Sequence, residues 1–176
     1  MISYHPICIA EGKHRFALEQ PGQKVLLILG VNPSKADEKN PDPTMRSVLR
    51  FVNTNGYDGY VMINLSSERA TNPNDLSNEL DLHMHKRNLS VIEFLSRKYQ
   101  ESEVLIACGN NINKRNYLKS KCLYDIYEIL SGHKTWLSIG GEAGKTKEGN
   151  PRHPLYASVK LGLDKFDITS YVHGLC

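Results

Sequence analysis

Four short apolar runs, at residues 25–30, 61–65, 104–109 and 136–140, punctuate the chain, and none of them alternates cleanly with polar residues. A strand with one wet face alternates; a strand buried on both faces does not, so these runs predict a parallel sheet covered on both sides. Helical patterns lie between them. Asp42-Pro43-Thr44 supplies a cap and a first-turn proline, the stripe Met45, Val48, Leu49, Val52 follows, and Asn55-Gly56 stops it. Leu89, Ile92, Leu95 and Tyr99 recur at near-helical spacing, and Leu118, Cys122, Ile126 and Leu130 step by four towards Ser131-Gly132. After the fourth run, Pro154 opens a short helix carrying Leu155 and Val159, and residues 15–19 form an extra amino-terminal edge strand. The order β-α-β-α-β-α-β-α with right-handed crossovers predicts an α/β fold, a three-layer α/β/α sandwich on a four-stranded parallel central sheet.

A length of 176 residues suits a single domain, with a core over about 15–163 and a tail, 164–176, that either adds Tyr171 and Val172 as an edge strand or frays. Apolar residues at 40% and charged residues at 23% exclude disorder and coiled coil. The longest apolar run, 25–31, is far short of the ~20 residues that span a bilayer. The opening Met-Ile-Ser-Tyr-His-Pro has no basic segment leading into an apolar one, so a cytoplasmic protein without a membrane partner is expected. Residues 1–82 carry 8 basic and 10 acidic side chains, whereas residues 83–176 carry 14 and 9. That basic second half suits a polyanionic partner and a solvated surface about equally. Cys8, Cys108, Cys122 and Cys176 have no metal or redox spacing, and Cys108 and Cys122 read as core residues.

In open α/β sheets ligands gather at the carboxyl ends of the strands. Just past the runs stand Gly30-Val31-Asn32-Pro33-Ser34, Asn64-Leu65-Ser66, Gly109-Asn110-Asn111 and Gly140-Gly141, with Asn150-Pro151-Arg152-His153-Pro154 downstream. Asn, Gly and Pro there also serve ordinary turns. Asp37, Asp42, Thr44 and Arg46 cluster after the first strand; either Asp42 caps a helix while Asp37 and Arg46 are solvated, or Arg46 holds a phosphate at the helix start. Arg69 is a similar candidate on the second loop. Gly144-Lys145-Thr146 lacks the glycine of a phosphate-binding loop at position 139, and His83-Met84-His85, placed in a loop, offers a metal too few ligands.

Asn32-Pro33-Ser34-Lys35-Ala36-Asp37, Asp42-Pro43-Thr44 with Arg46, Asn64-Leu65, Arg69-Ala70-Thr71 and Pro151-Arg152-His153-Pro154-Leu155-Tyr156 together resemble the bacterial family catalogued as domain of unknown function 1643, from about residue 15 to 163. More distantly, Gly30-Val31-Asn32-Pro33, Asn64 and His153-Pro154 resemble the α/β uracil-DNA glycosylase superfamily, in the version of its mismatch-specific members. That resemblance implies a uracil-DNA-glycosylase-like fold in which Asn32 positions water, Asn64 reads an extruded base, His153 stabilises the departing base anion and Leu155 lies near a wedge into the duplex. Ser34-Lys35 departs from the glycosylase pattern, His153-Pro154-Leu155-Tyr156 lacks its small hydroxyl residue, and the aromatic that would stack on a base is open among Tyr57, Tyr60 and Tyr156.

The leading expectation is a nucleobase, nucleotide or nucleic-acid binding protein that hydrolyses an N-glycosidic bond. Asn32 and His153 are its catalytic candidates, and Ser34, Asp37, Asp42, Thr44, Arg46, Asn64, Arg69, Asn110 and Arg152 its ligand contacts. The alternatives are a non-catalytic module for a modified nucleotide or nucleic-acid end, and a metal-dependent hydrolase or transferase of a small phosphorylated metabolite using Asp37 and Asp42. No motif calls for a cofactor or a resident metal, and the pattern carries no information on self-association.

Overall fold

The computed structural model describes residues 3–131 and 134–175; the expected helix stop at Gly132, the opening Met1-Ile2 and Cys176 lie outside them. Seven strands make one mixed sheet: β1 (Ile7–Glu11), β2 (His14–Gln20), β3 (Val25–Gly30), β4 (Gly59–Asn64), β5 (Glu103–Ile106), β6 (Trp136–Ile139) and β7 (Leu163–Lys165). Their spatial order is β1-β2-β4-β3-β5-β6-β7. The four apolar runs are the adjacent strands β4, β3, β5 and β6, all mutually parallel, and β2 lies antiparallel beside β4. Helix α1 (Pro43–Thr54) joins β3 to β4, α2 (Leu82–Lys98) joins β4 to β5, and α3 (Tyr124–Leu130) precedes β6.

The missing alternation has its explanation in the two cores. Leu27 and Leu29 of β3 pack with Ile92 and Leu95 of α2 and Ile126 and Leu130 of α3. The intervening Leu26 and Ile28 pack on the other face with Met45, Val48, Phe51 and Val52 of α1. Asp42 caps α1 as expected: its Oδ1 accepts from Met45 N at 2.8 Å, and Asn55 with Gly56 (φ 74°) closes the helix. Asp42→Ala is expected to cost about 1 kcal/mol of stability, read as a lower denaturant midpoint, and Asp42→Asn, which keeps the cap acceptor but loses the charge and the second acceptor, is expected to fall between it and wild type. No helix among the described residues is long and apolar enough to cross a membrane.

Several expectations are corrected. Residues 15–19 do form a strand, but β2 is second in the sheet rather than its edge, because β1 pairs antiparallel outside it through a two-residue turn at Gly12 (φ 54°). The tail neither frays nor adds Tyr171 and Val172 to the sheet. β7 is the edge strand, antiparallel to β6, and a short helix α4 (Ile168–His173), capped by Asp167, buries Tyr171 and Val172. Pro154 opens only a 3-10 turn, Pro154–Tyr156, followed by another, Val159–Leu161, which ends at Gly162 (φ 67°). His83-Met84-His85 is not a loop but the first turn of α2, capped by Asp81. The step-of-four pattern is buried throughout, although its first part, Leu118–Leu123, is a π-helical turn running into α3.

Candidate functional site

Glycines and amides arrange the carboxyl edge of the parallel strands. Gly30 of β3 lies opposite Asn64 of β4, and a Cβ on Gly30 would stand 2.8 Å from Asn64 Oδ1. Only a residue without a side chain leaves the Asn64 amide this place. The β3–α1 and β4–α2 loops are then stitched together by Ser66 N to Val31 O (2.8 Å) and Ala70 N to Pro33 O (2.9 Å). Asn32 clamps the same junction, its Nδ2 donating to Ala70 O at 2.8 Å and Pro33 O at 3.0 Å. Both amide protons are spent on carbonyls, so Oδ1, which receives no hydrogen bond from the described residues, is the atom left for a ligand or water.

Asn64 is 1% exposed, and neither its Nδ2 nor its Oδ1 has a hydrogen-bond partner among the described residues. Its backbone oxygen is held by Asn88 Nδ2 at 2.9 Å, so the strand end is fixed while the side chain is unpaired. A buried amide in that condition costs about 1–3 kcal/mol relative to an apolar group of the same shape.

On the other flank, Gly109 (φ 55°) turns the chain after β5 so that its N–H reaches Pro151 O at 2.8 Å. A Cβ there would meet His153 Cβ at 2.9 Å. The mostly buried His153 accepts from Leu155 N through Nδ1 at 3.2 Å, which leaves the proton on Nε2. Burial pushes its pKa down to about 4 against a weaker opposing pull from Asp42, so the ring is neutral at pH 7 with Nε2–H available as a donor. Tyr156, 79% exposed, has its ring 5.8 Å from that of His153. Arg152 has a buried, unpartnered Nε.

The structure thus places Asn32, Ser34, Asn64 and Arg69 around the first two loops, and Arg152 and His153 on the segment seated against Gly109. Other candidates are occupied otherwise. Asp37 Oδ1 accepts from Lys39 N and Asn40 N at 2.8 and 2.7 Å, which holds its carboxyl below the usual range. Both Asp42 oxygens take backbone N–H groups, of Met45 and Ala36. Arg46 is exposed and folds back onto Pro41 O at 2.7 Å, and Thr44 lies half-buried in the first turn of α1. Asn110 joins two loops, donating to Glu148 Oε1 (2.9 Å) and accepting from Thr146 Oγ1 (2.7 Å) and Asn150 Nδ2 (3.1 Å). Among the described residues no three His, Cys, Asp or Glu side chains group as metal ligands.

Two residues of this region escaped the sequence reading. Asn88 sits between His85 and Ile92 on the buried stripe of α2, where an amide on an apolar face was the visible sign. Arg15 is the second residue of β2 and is buried at 2% exposure. Elsewhere, Cys122 Sγ, His85 Nδ1 and Asp125 line up in the order of a thiol nucleophile relay, with Sγ to Nδ1 3.8 Å and Nε2 to Asp125 Oδ2 2.9 Å. Burial pushes the Cys122 thiol up to about 12, so it stays protonated and belongs to the core, as expected of it.

Comparison with known families matches residues 15–155 to a family described as protein of unknown function (DUF1643). The chain belongs to this family. The DUF1643 span runs from Arg15 to Leu155 and takes in every catalytic and ligand-contact candidate, whereas Tyr156, β1, β7 and α4 lie outside it. Comparisons with curated proteins and with solved structures give no match.

Proposed function

We propose that the strand-end site binds the base of a nucleotide or nucleic acid and hydrolyses the N-glycosidic bond that joins this base to its sugar. The observation that carries this reading is the buried, wholly unpartnered amide of Asn64, which offers one donor and one acceptor side by side, the pattern that the edge of a base answers. The resemblance of Gly30-Val31-Asn32-Pro33 and His153-Pro154 to the α/β uracil-DNA glycosylase superfamily supports it, as does the sheet with its four parallel strands. Asn32 Oδ1 accepts a hydrogen bond from the water that attacks the sugar carbon. The amide cannot take that water's proton, which passes to solvent, so the step is slow compared with one run by a carboxylate. The Nε2–H of neutral His153 donates to the oxygen of the departing base and stabilises its negative charge.

A second reading, a module that binds without cutting, is favoured by the same Asn32, since both nearby carboxylates, Asp37 and Asp42, are committed to backbone N–H groups. A base-release assay separates the two. Single-turnover incubation with single- and double-stranded DNA and RNA carrying uracil, hypoxanthine or mismatches is expected to release base with wild type, and at least ~100-fold more slowly with Asn32→Ala and with His153→Ala. Saturable ligand binding with no release from any substrate selects the binding module.

A further inference from the structure

Arg15 forms no ion pair among the described residues, although it is almost completely buried, and its Nε has no hydrogen-bond partner. Its Nη1 donates to Ala36 O at 2.5 Å. Arg69 Nη1 reaches that same oxygen at 3.4 Å and Ser34 O at 3.4 Å, and its Nη2 lies 4.0 Å from Cys8 Sγ. Two guanidinium groups therefore share one neutral carbonyl. Burial, and then the charge of Arg69, lower the pKa of Arg15, and Asp42 offsets them only in part while its oxygens serve backbone N–H groups. A buried cation without a counter-charge is costly, and a second cation beside it raises the cost.

The backbone has been bent to produce this arrangement. In the β1–β2 ladder Ile9 pairs with Ala17 and Ala10 with Arg15, so Phe16 is an extra residue in a β-bulge. Bulges re-aim side chains, and here the displaced register sends Arg15 towards Ala36 while Phe16 lies beneath Arg87 of α2. The Tyr60 hydroxyl, also buried and unpartnered, is close enough to Arg15 to feel its charge. Tyr4, Cys8, Ser34 and Arg69, all partly exposed, border the cluster.

We propose that Arg15 and Arg69 form an oxyanion subsite that takes the phosphate group of the ligand. A phosphate between two guanidinium forks supplies the missing charge and accepts from the idle Nε–H in a charge-assisted, directional way that one lysine cannot match. The assignment of that phosphate to a nucleotide rests on the base-reading role proposed for Asn64; the subsite itself does not. Free phosphate and a phosphate monoester share this chemistry, and the arms of the experiment tell them apart.

The test is a titration of the full chain with inorganic phosphate at constant ionic strength, followed through the arginine Nε–H resonances, with Arg15 assigned by its absence in Arg15→Lys. The Arg15 resonance is expected to move saturably. Affinity for phosphate is expected to fall about tenfold or more in Arg69→Gln and to stay unchanged in Arg97→Gln, a variant of an exposed arginine on α2. An unmoved Arg15 resonance, or equal affinity in Arg69→Gln, overturns the subsite; if Arg69→Gln does not fold, the wild-type titration decides alone. Parallel titrations with a nucleoside and its 3′- and 5′-monophosphates separate the two proposals. Tighter binding of a monophosphate than of both its nucleoside and free phosphate supports a nucleotide. Phosphate binding without nucleoside binding keeps the subsite and removes the base reader, and nucleoside binding without any gain from phosphate does the reverse.

Discussion

Asn64→Leu is expected to make the unliganded protein more stable while abolishing recognition of the base. Leucine has the heavy-atom count and branching of asparagine, with bulkier methyl groups on a tetrahedral Cγ, and the variant removes two buried polar atoms that have no partner. Relief of their desolvation cost is worth about 1–3 kcal/mol. For a chain of this size each kcal/mol moves Tm by about 2–4 °C, so the gain is visible in a thermal melt. The same substitution removes the donor–acceptor pair, worth about 1–3 kcal/mol of discrimination in a well-formed bidentate contact, and ligand-induced stabilisation is expected to vanish. Asn64→Asp, with two acceptors and no donor, is expected to change which base stabilises the protein. A lower Tm for Asn64→Leu would identify the amide as a structural one, satisfied by internal water, and would remove the observation on which the proposed function stands. The two outcomes have opposite signs.

The second large effect is a pH dependence centred on His153. Its native pKa of about 4 lies below the ordinary 6.5, so the unfolded chain binds a proton on this ring at a higher pH than the folded chain does. The contribution to stability is therefore complete above pH 6.5, declines as pH falls between the two values, and is lost below about 4. A shift of this size corresponds to roughly 3 kcal/mol at most, since each pH unit between the two values is worth about 1.4 kcal/mol. His14, whose pKa burial also lowers, adds a slope of the same sign. The comparison with His153→Gln isolates the first residue: denaturant midpoints measured from pH 8 to pH 4 are expected to fall more steeply for wild type than for the variant. Parallel curves would show that the ring is solvated and would remove the basis for a neutral Nε2–H donor at the site.

Both predictions depend on residues that the chain itself announced. The four parallel strands were legible because burial on two faces suppresses alternation, and that requirement acts on each short segment separately. Helix α1 was legible for an equally local reason, since Asp42, Pro43 and Asn55-Gly56 satisfy or terminate backbone groups within a few residues. Asn64 and His153 stood out as candidates because open α/β sheets gather their strand ends in one place and because the glycosylase resemblance singled them out among the many polar residues there. Local chemistry misled where a turn competed with a helix. Pro154 is as good a start for a 3-10 turn as for an α-helix, and the His153 ring accepting from Leu155 N together with Ser158 and Gly162 decided for the turns.

What tertiary structure alone decided is which polar groups are spoken for. Asn32, Asn64 and Asn110 are the same residue type at equivalent places in the chain. Yet Asn110 has both its amide atoms bonded, Asn32 has its Nδ2 bonded, and Asn64 has neither of its atoms bonded. Likewise, nothing local distinguishes Arg46 from Arg15, but one lies on the surface and the other is buried beside Arg69 by a bulge one residue long. Periodicity and capping are written in neighbouring residues because the forces behind them act over one or two turns. Whether an amide or a guanidinium is paired depends on atoms brought from 38 or 54 positions away, as between Asn32 and Ala70 or Arg15 and Arg69, and only the folded chain makes those pairings.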